Sequence, residues 1–119
     1  MNKNTVRVST KVIIHAGNAR SRITSALNAA EQFRHEEAKG LMIEAENEIN
    51  AAHHTQTETI QAEARGEGAE YSILFTHAQD TLMAAITELN LAQHFLRIYE
   101  KISSVLTDPE KVNKTNDTK

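Results

Sequence analysis

His77 and Asp80 stand three residues apart in the stretch 71–83, Tyr-Ser-Ile-Leu-Phe-Thr-His-Ala-Gln-Asp-Thr-Leu-Met. At 100° per residue they lie about 60° apart on a helix, on one face. A neutral imidazole is a good nucleophile near pH 7. Yet Ile73, Ala84, Leu91, Phe95, Ile98 and Ile102 fall on the same stripe. A second stripe, Leu74, Ala78, Leu82, Ala85, Leu89, Ala92 and Leu96, runs beside it. Together they cover more than the roughly 100° that one buried face needs. We therefore expect two apolar surfaces, one facing this helix's own bundle and one facing a partner chain. His77 and Asp80 would lie on or near a buried seam, where an unpaired carboxylate is costly.

The other imidazoles have less context. His15 and His35 lack sequence neighbours that suggest a site, and His94 falls on the polar side of its helix. His53 and His54 are adjacent, so they point about 100° apart and cannot easily chelate one metal together. The helical spacings typical of zinc and di-iron sites are absent.

Size and composition bound what can position these groups. The chain has 119 residues, enough for one domain, with no Cys, one Pro and four Gly. Disulfides and thiolate metal sites are excluded. A net charge of −3 and the lack of a basic block argue against nucleic acid as a partner. No apolar run approaches the roughly 20 residues of a membrane span, and the first residues hold no signal-like apolar core. A cytoplasmic helical protein is expected.

Three helical patterns follow in order. The first, from about Val8, places Val12, Ala16, Ala19, Ile23, Leu27 and Ala30 on one face. Gly17 interrupts it, marking either a close helix approach or a tolerated Gly. A break falls near Gln32 to His35 without Gly or Pro. The second pattern carries Ala38, Leu41, Met42, Ala45, Ile49, Ala52 and Ile60, with Gln56 on that face. Gln56 either bonds to nearby backbone or orients a catalytic group across the bundle. Arg65-Gly66-Glu67-Gly68 stops this helix with a left-handed cap, and Ser72 is placed to cap the third. The third ends near Ser104, before Asp108-Pro109. The expected fold is all-α: an antiparallel three-helix bundle over residues 1–106, with a polar, disordered tail over 107–119.

Several motifs, in order, resemble the IIA component of the lactose/cellobiose class of the bacterial phosphoenolpyruvate-dependent sugar phosphotransferase system. They are Gly17-Asn18-Ala19-Arg20-Ser21, Ala52-His53-His54-Thr55-Gln56-Thr57, Gly66-Glu67, Tyr71-Ser72, His77-Ala78-Gln79-Asp80 and Leu82-Met83. The resemblance implies a cytoplasmic homotrimer of three-helix subunits acting as a phosphotransferase component. It implies that His77 carries a phosphoryl group from phospho-HPr to a sugar-specific IIB component. It further implies that three copies of Asp80 share one divalent cation, Mg²⁺, at the trimer axis. Gln56 is then the candidate for a supporting hydrogen bond, whereas Gln79, about 200° round the helix, cannot reach its own His77. Contact with the membrane is indirect, through the IIC component.

Two departures stand out. Thr81 occupies the position where the family usually has a second His, and Phe33-Arg34-His35 replaces its usual Gly-Asp-Phe turn. Two other classes remain open at this point: a histidine phosphotransfer domain of two-component signalling, and a structural helical interaction module. The first usually carries a Lys and a Gly in the turn after its His, and residues 78–84 contain neither. The second gives no reason for His77 and Asp80 to interrupt an apolar face.

Overall fold

The computed structural model describes residues 3–67 and 72–108. These form three helices, α1 (Lys3–Glu31), α2 (His35–Ala64) and α3 (Ile73–Thr107), with no strand among the described residues. α1 begins earlier than the apolar pattern indicates: Lys3 to Thr5 are already helical and Thr5 is buried. α3 continues to Thr107, one residue past the expected domain end. The tail from Pro109, Gly68 and Tyr71 lie outside the described residues.

Cross-helix pairs give the directions. His15 meets Glu48 and Arg22 meets Glu44, so α2 descends as α1 rises. Arg20 meets Glu88, and the Phe33 ring lies against Tyr99, so α3 runs parallel to α1. The core is built mainly from alanine. Of its 18 buried apolar residues eleven are Ala, with Val12, Ile23, Met42, Ile49, Leu82, Leu89 and Leu96 between them. Small side chains let the helices approach closely, but each buries little area, so this core is thin for its length. Burial on α2 stops at Ala52; Ile60, expected in the core, is 45% exposed. Gly17 is exposed and a Cβ there would meet nothing within 4 Å, so it serves no close approach within the chain.

Both connections begin with the same cap. The Gly66 N–H donates to Glu63 O and the Glu67 N–H to Ala62 O, with Gly66 at φ 80°. This is the paired bonding of a left-handed helix stop, and Gly suits it. After α1 the identical pattern runs from Phe33 N to Ala30 O and from Arg34 N to Ala29 O, with Phe33 at φ 59°. A Phe in this conformation costs about 1 kcal/mol against Gly. Its ring offsets part of that by packing against His35 and Tyr99, at centroid distances of 6.1 and 6.5 Å.

Candidate functional site on α3

Ser72 secures the start of α3. It is buried, its hydroxyl accepts from the Phe75 N–H at 3.2 Å, and its carbonyl accepts from the Thr76 hydroxyl at 3.0 Å. This is the cap expected from sequence. His77 stands directly after this anchored turn. Its side chain is exposed, as is that of Asp80 one turn on. No acidic residue occupies the first turn of α3, so negative charge added at His77 would sit near the positive end of the helix dipole.

The two stripes have separate fates. Ala78, Leu82, Ala85, Leu89, Ala92 and Leu96 are buried against α1 and α2. The stripe that holds His77 and Asp80 is not covered. Ile73 is 76% exposed, Leu91 54% and Phe95 48%, and Ile98, Ile102 and Val105 continue the row. At 1.5 Å per residue, Ile73 to Val105 is an apolar ridge of roughly 50 Å, interrupted by one imidazole and one carboxylate. Within one chain, His77 and Asp80 are therefore surface groups.

Gln56 is half-buried on α2, and its side chain makes no hydrogen bond to His77 or to any other described residue. Thr81 donates its hydroxyl to the His77 carbonyl at 2.9 Å. The group at the family's second-His position thus bonds backbone and places no second ring beside His77. Gln79 is half-buried, on another side of α3. His53, His54 and His94 are exposed, with His54 held by Glu58 at 3.1 Å and His94 by Arg97 at 2.8 Å.

One pair escaped the sequence reading. His15 donates from Nδ1 to Glu48 at 2.6 Å, joining α1 to α2. The hydrogen bond from His15 holds the Glu48 carboxyl below its usual range; Asn18 and Arg22 add to this, while burial opposes it. The partners are 33 positions apart, so only a predicted α1–α2 register would have found them.

Among the described residues no group of three or more His, Asp or Glu in one chain could hold a metal ion. A cation held by this site would need carboxylates from several copies. Asp80, exposed on an uncovered ridge and engaged by no described residue, fits that donor role.

The profile of the "PTS system, Lactose/Cellobiose specific IIA subunit" family matches residues 7–100, which include His77, Asp80 and most of each helix. The chain belongs to that family. It is 42% identical over 103 residues to the lichenan-specific phosphotransferase enzyme IIA component of Bacillus subtilis, covering 87% of this chain and 94% of the relative. It is 37% identical over 102 residues to the lactose-specific EIIA component of Staphylococcus epidermidis, covering 85% and 98%. The crystal structure of the cellobiose-specific enzyme IIA from Bacillus anthracis matches with a TM-score of 0.83 and 45% identity, over 87% of this chain and 95% of that one. IIA components carry phosphoryl groups, so this IIA chain is a phosphotransferase component. The signalling-domain and structural-module readings give way to it. No helix among the described residues is long and apolar enough to cross a membrane.

Proposed function

We propose that this IIA chain is a cytoplasmic carrier that accepts a phosphoryl group from phospho-HPr on His77 and passes it to a sugar-specific IIB component. Its role is uptake-coupled phosphorylation of a lactose-, cellobiose- or β-glucoside-type sugar. The observation that carries this is one exposed nucleophilic ring on an apolar ridge, just past a capped helix start. In the loading step the lone pair of His77 Nε2 attacks phosphorus. The P–N bond to the donor imidazole breaks, and its electron pair stays with the donor ring. That ring takes up a proton while the other nitrogen of His77 releases one. Such transfers depend on positioning and charge stabilisation more than on an elaborate acid–base set. A neutral His77 supplies the nucleophile, and the α3 N-terminus favours the charge that arrives.

The same ridge supports self-association. About 50 Å of apolar helix face on a chain with a thin alanine core calls for cover. Three copies packed through α3 would bring three Asp80 carboxylates together, and these would hold one Mg²⁺ ion. The cation would neutralise carboxylates that otherwise repel.

The test is incubation with phosphoenolpyruvate, enzyme I and HPr, followed by intact-mass measurement. One acid-labile phosphate is expected, absent in His77→Ala. Phosphate mapped to His53, His54 or His94 would overturn the assignment.

A further inference from the structure

Ser9 on α1 is fully buried, and its hydroxyl has no hydrogen-bond partner. Hydroxyls on these helices commonly bond back to the carbonyl one turn earlier, as those of Thr24, Thr55, Thr59, Thr76 and Thr81 all do. Ser9 does not satisfy itself in this way. Leaving a buried hydroxyl unpaired is costly, and alanine would be the better helix former here. The serine calls for a partner outside α1.

The register of α1 on α3 names that partner. Arg20 grips Glu88 through two nitrogens, at 3.1 Å from Nε and 2.7 Å from Nη2. The two helices run parallel, so equal steps back along both preserve the match. Ser9 precedes Arg20 by eleven residues, and His77 precedes Glu88 by eleven. Eleven residues make three turns and about 20°, so Ser9 shares the α1 line of Arg20 and His77 shares the α3 line of Glu88. The match holds in height and in face. Ser9 thus lies in the α1–α3 seam, and exposed His77 stands at its rim. Thr81, one turn on, is committed to the His77 carbonyl, so it offers the ring no hydroxyl. Thr5 carries the other unpaired buried hydroxyl of α1, but the same register sets it level with Ile73.

We propose that Ser9 is a positioning residue for His77: its hydroxyl accepts from the ring Nδ1–H and leaves the Nε2 lone pair facing outward. A neutral imidazole carries its proton on one nitrogen, so a partner at Nδ1 selects the tautomer that attacks through Nε2. A hydroxyl both accepts and donates. Once the loaded ring has given its Nδ1 proton to water, the same hydroxyl turns and donates to that nitrogen. One side chain therefore holds the ring before and after transfer, and no proton passes through it. The role in loading rests on the carrier reading; the tautomer does not.

The test compares the native chain with Ser9→Ala and, as a control, Thr5→Val. Long-range proton–nitrogen correlation spectra of isotope-labelled histidine read the His77 tautomer at about pH 8, where ordinary imidazoles are neutral. The native chain should show mainly the Nδ1–H form. Ser9→Ala should revert to the Nε2–H form that a free imidazole prefers, and Thr5→Val should match the native chain. Loading by phospho-HPr, followed by rapid quench, should fall about fivefold in Ser9→Ala at saturating donor, because the nucleophile loses its orientation. The donor concentration at half-saturation should not change. The melting point of Ser9→Ala should equal or exceed the native value, since an unpaired hydroxyl goes and alanine favours helix. Slower loading then cannot come from unfolding. A native His77 in the Nε2–H form would overturn the inference, as would a tautomer unmoved by Ser9→Ala. An equal loss in Thr5→Val would assign the effect to packing at this end of the bundle and overturn it too. A native chain that holds the Nδ1–H form but takes no phosphate would overturn the carrier reading and the role in loading, while the Ser9–His77 bond stands.

Discussion

The hydroxyl of Thr81 donates to the carbonyl of His77 across one turn of α3, at 2.9 Å. The side chain is therefore committed to backbone and takes no part beside the imidazole. Thr81→Val removes this bond from an exposed helix turn and should change stability by less than about 0.5 kcal/mol. Loading of His77 should change by less than about twofold, since no group facing the ring is lost. Thr81→His adds an imidazole one turn away, yet the single phosphate should stay on His77. Rapid-quench rates and phosphopeptide mapping under mild alkali check both variants.

In the proposed trimer, Asp80 should govern the response to metal. Metal-free carboxylates brought to one axis raise each other's pKa, so chelator should weaken the native trimer at neutral pH and acid should partly restore it. Asp80→Leu replaces the repelling groups with apolar ones and should give a trimer indifferent to EDTA. Sedimentation equilibrium with and without EDTA reads both proteins. A native monomer at micromolar concentration with Mg²⁺ present would sink the trimer, and a chelator effect surviving in Asp80→Leu would sink the metal assignment.

The His15–Glu48 pair should mark the acid limb of stability. The folded Glu48 carboxyl lies below its usual range, chiefly through His15. Its contribution is then present above the unfolded glutamate value of about 4.3 and is lost as pH falls through the lower folded value. Glu48→Gln should lower stability by about 1 kcal/mol at neutral pH and flatten the pH dependence below about pH 5. Urea unfolding across that range is the measurement; native and variant curves running parallel would show that the pair contributes nothing.

Phe33 offers a sign reversal. Inside a helix Ala is more stable than Gly by about 1 kcal/mol. At φ 59° the order should invert, with Phe33→Gly exceeding Phe33→Ala by about 1 kcal/mol. Both should fall below the native chain, because the ring's contacts with His35 and Tyr99 are lost. Thermal unfolding of the three proteins tests the order, and Ala at or above Gly would refute the left-handed cap.

By itself the sequence determined the three helices, the Ser72 and Gly66 caps, the two α3 stripes and the placing of His77 with Asp80 on one of them. These follow from short-range rules: periodicity of 3.6, hydroxyl capping and the freedom of glycine. Both α3 stripes are apolar, however, and composition alone does not say which one a bundle buries. Tertiary packing decided that, taking the row whose Ala78, Ala85 and Ala92 admit the alanine-rich face of α1 and leaving bulky Phe95 and Ile98 outside. It also ended the α2 core at Ala52, stranding Ile60, and set a Phe where a Gly cap is usual because Tyr99 and His35 hold its ring. His15 met Glu48 only when α1 and α2 found their register, and that register is a property of the packed faces of both helices.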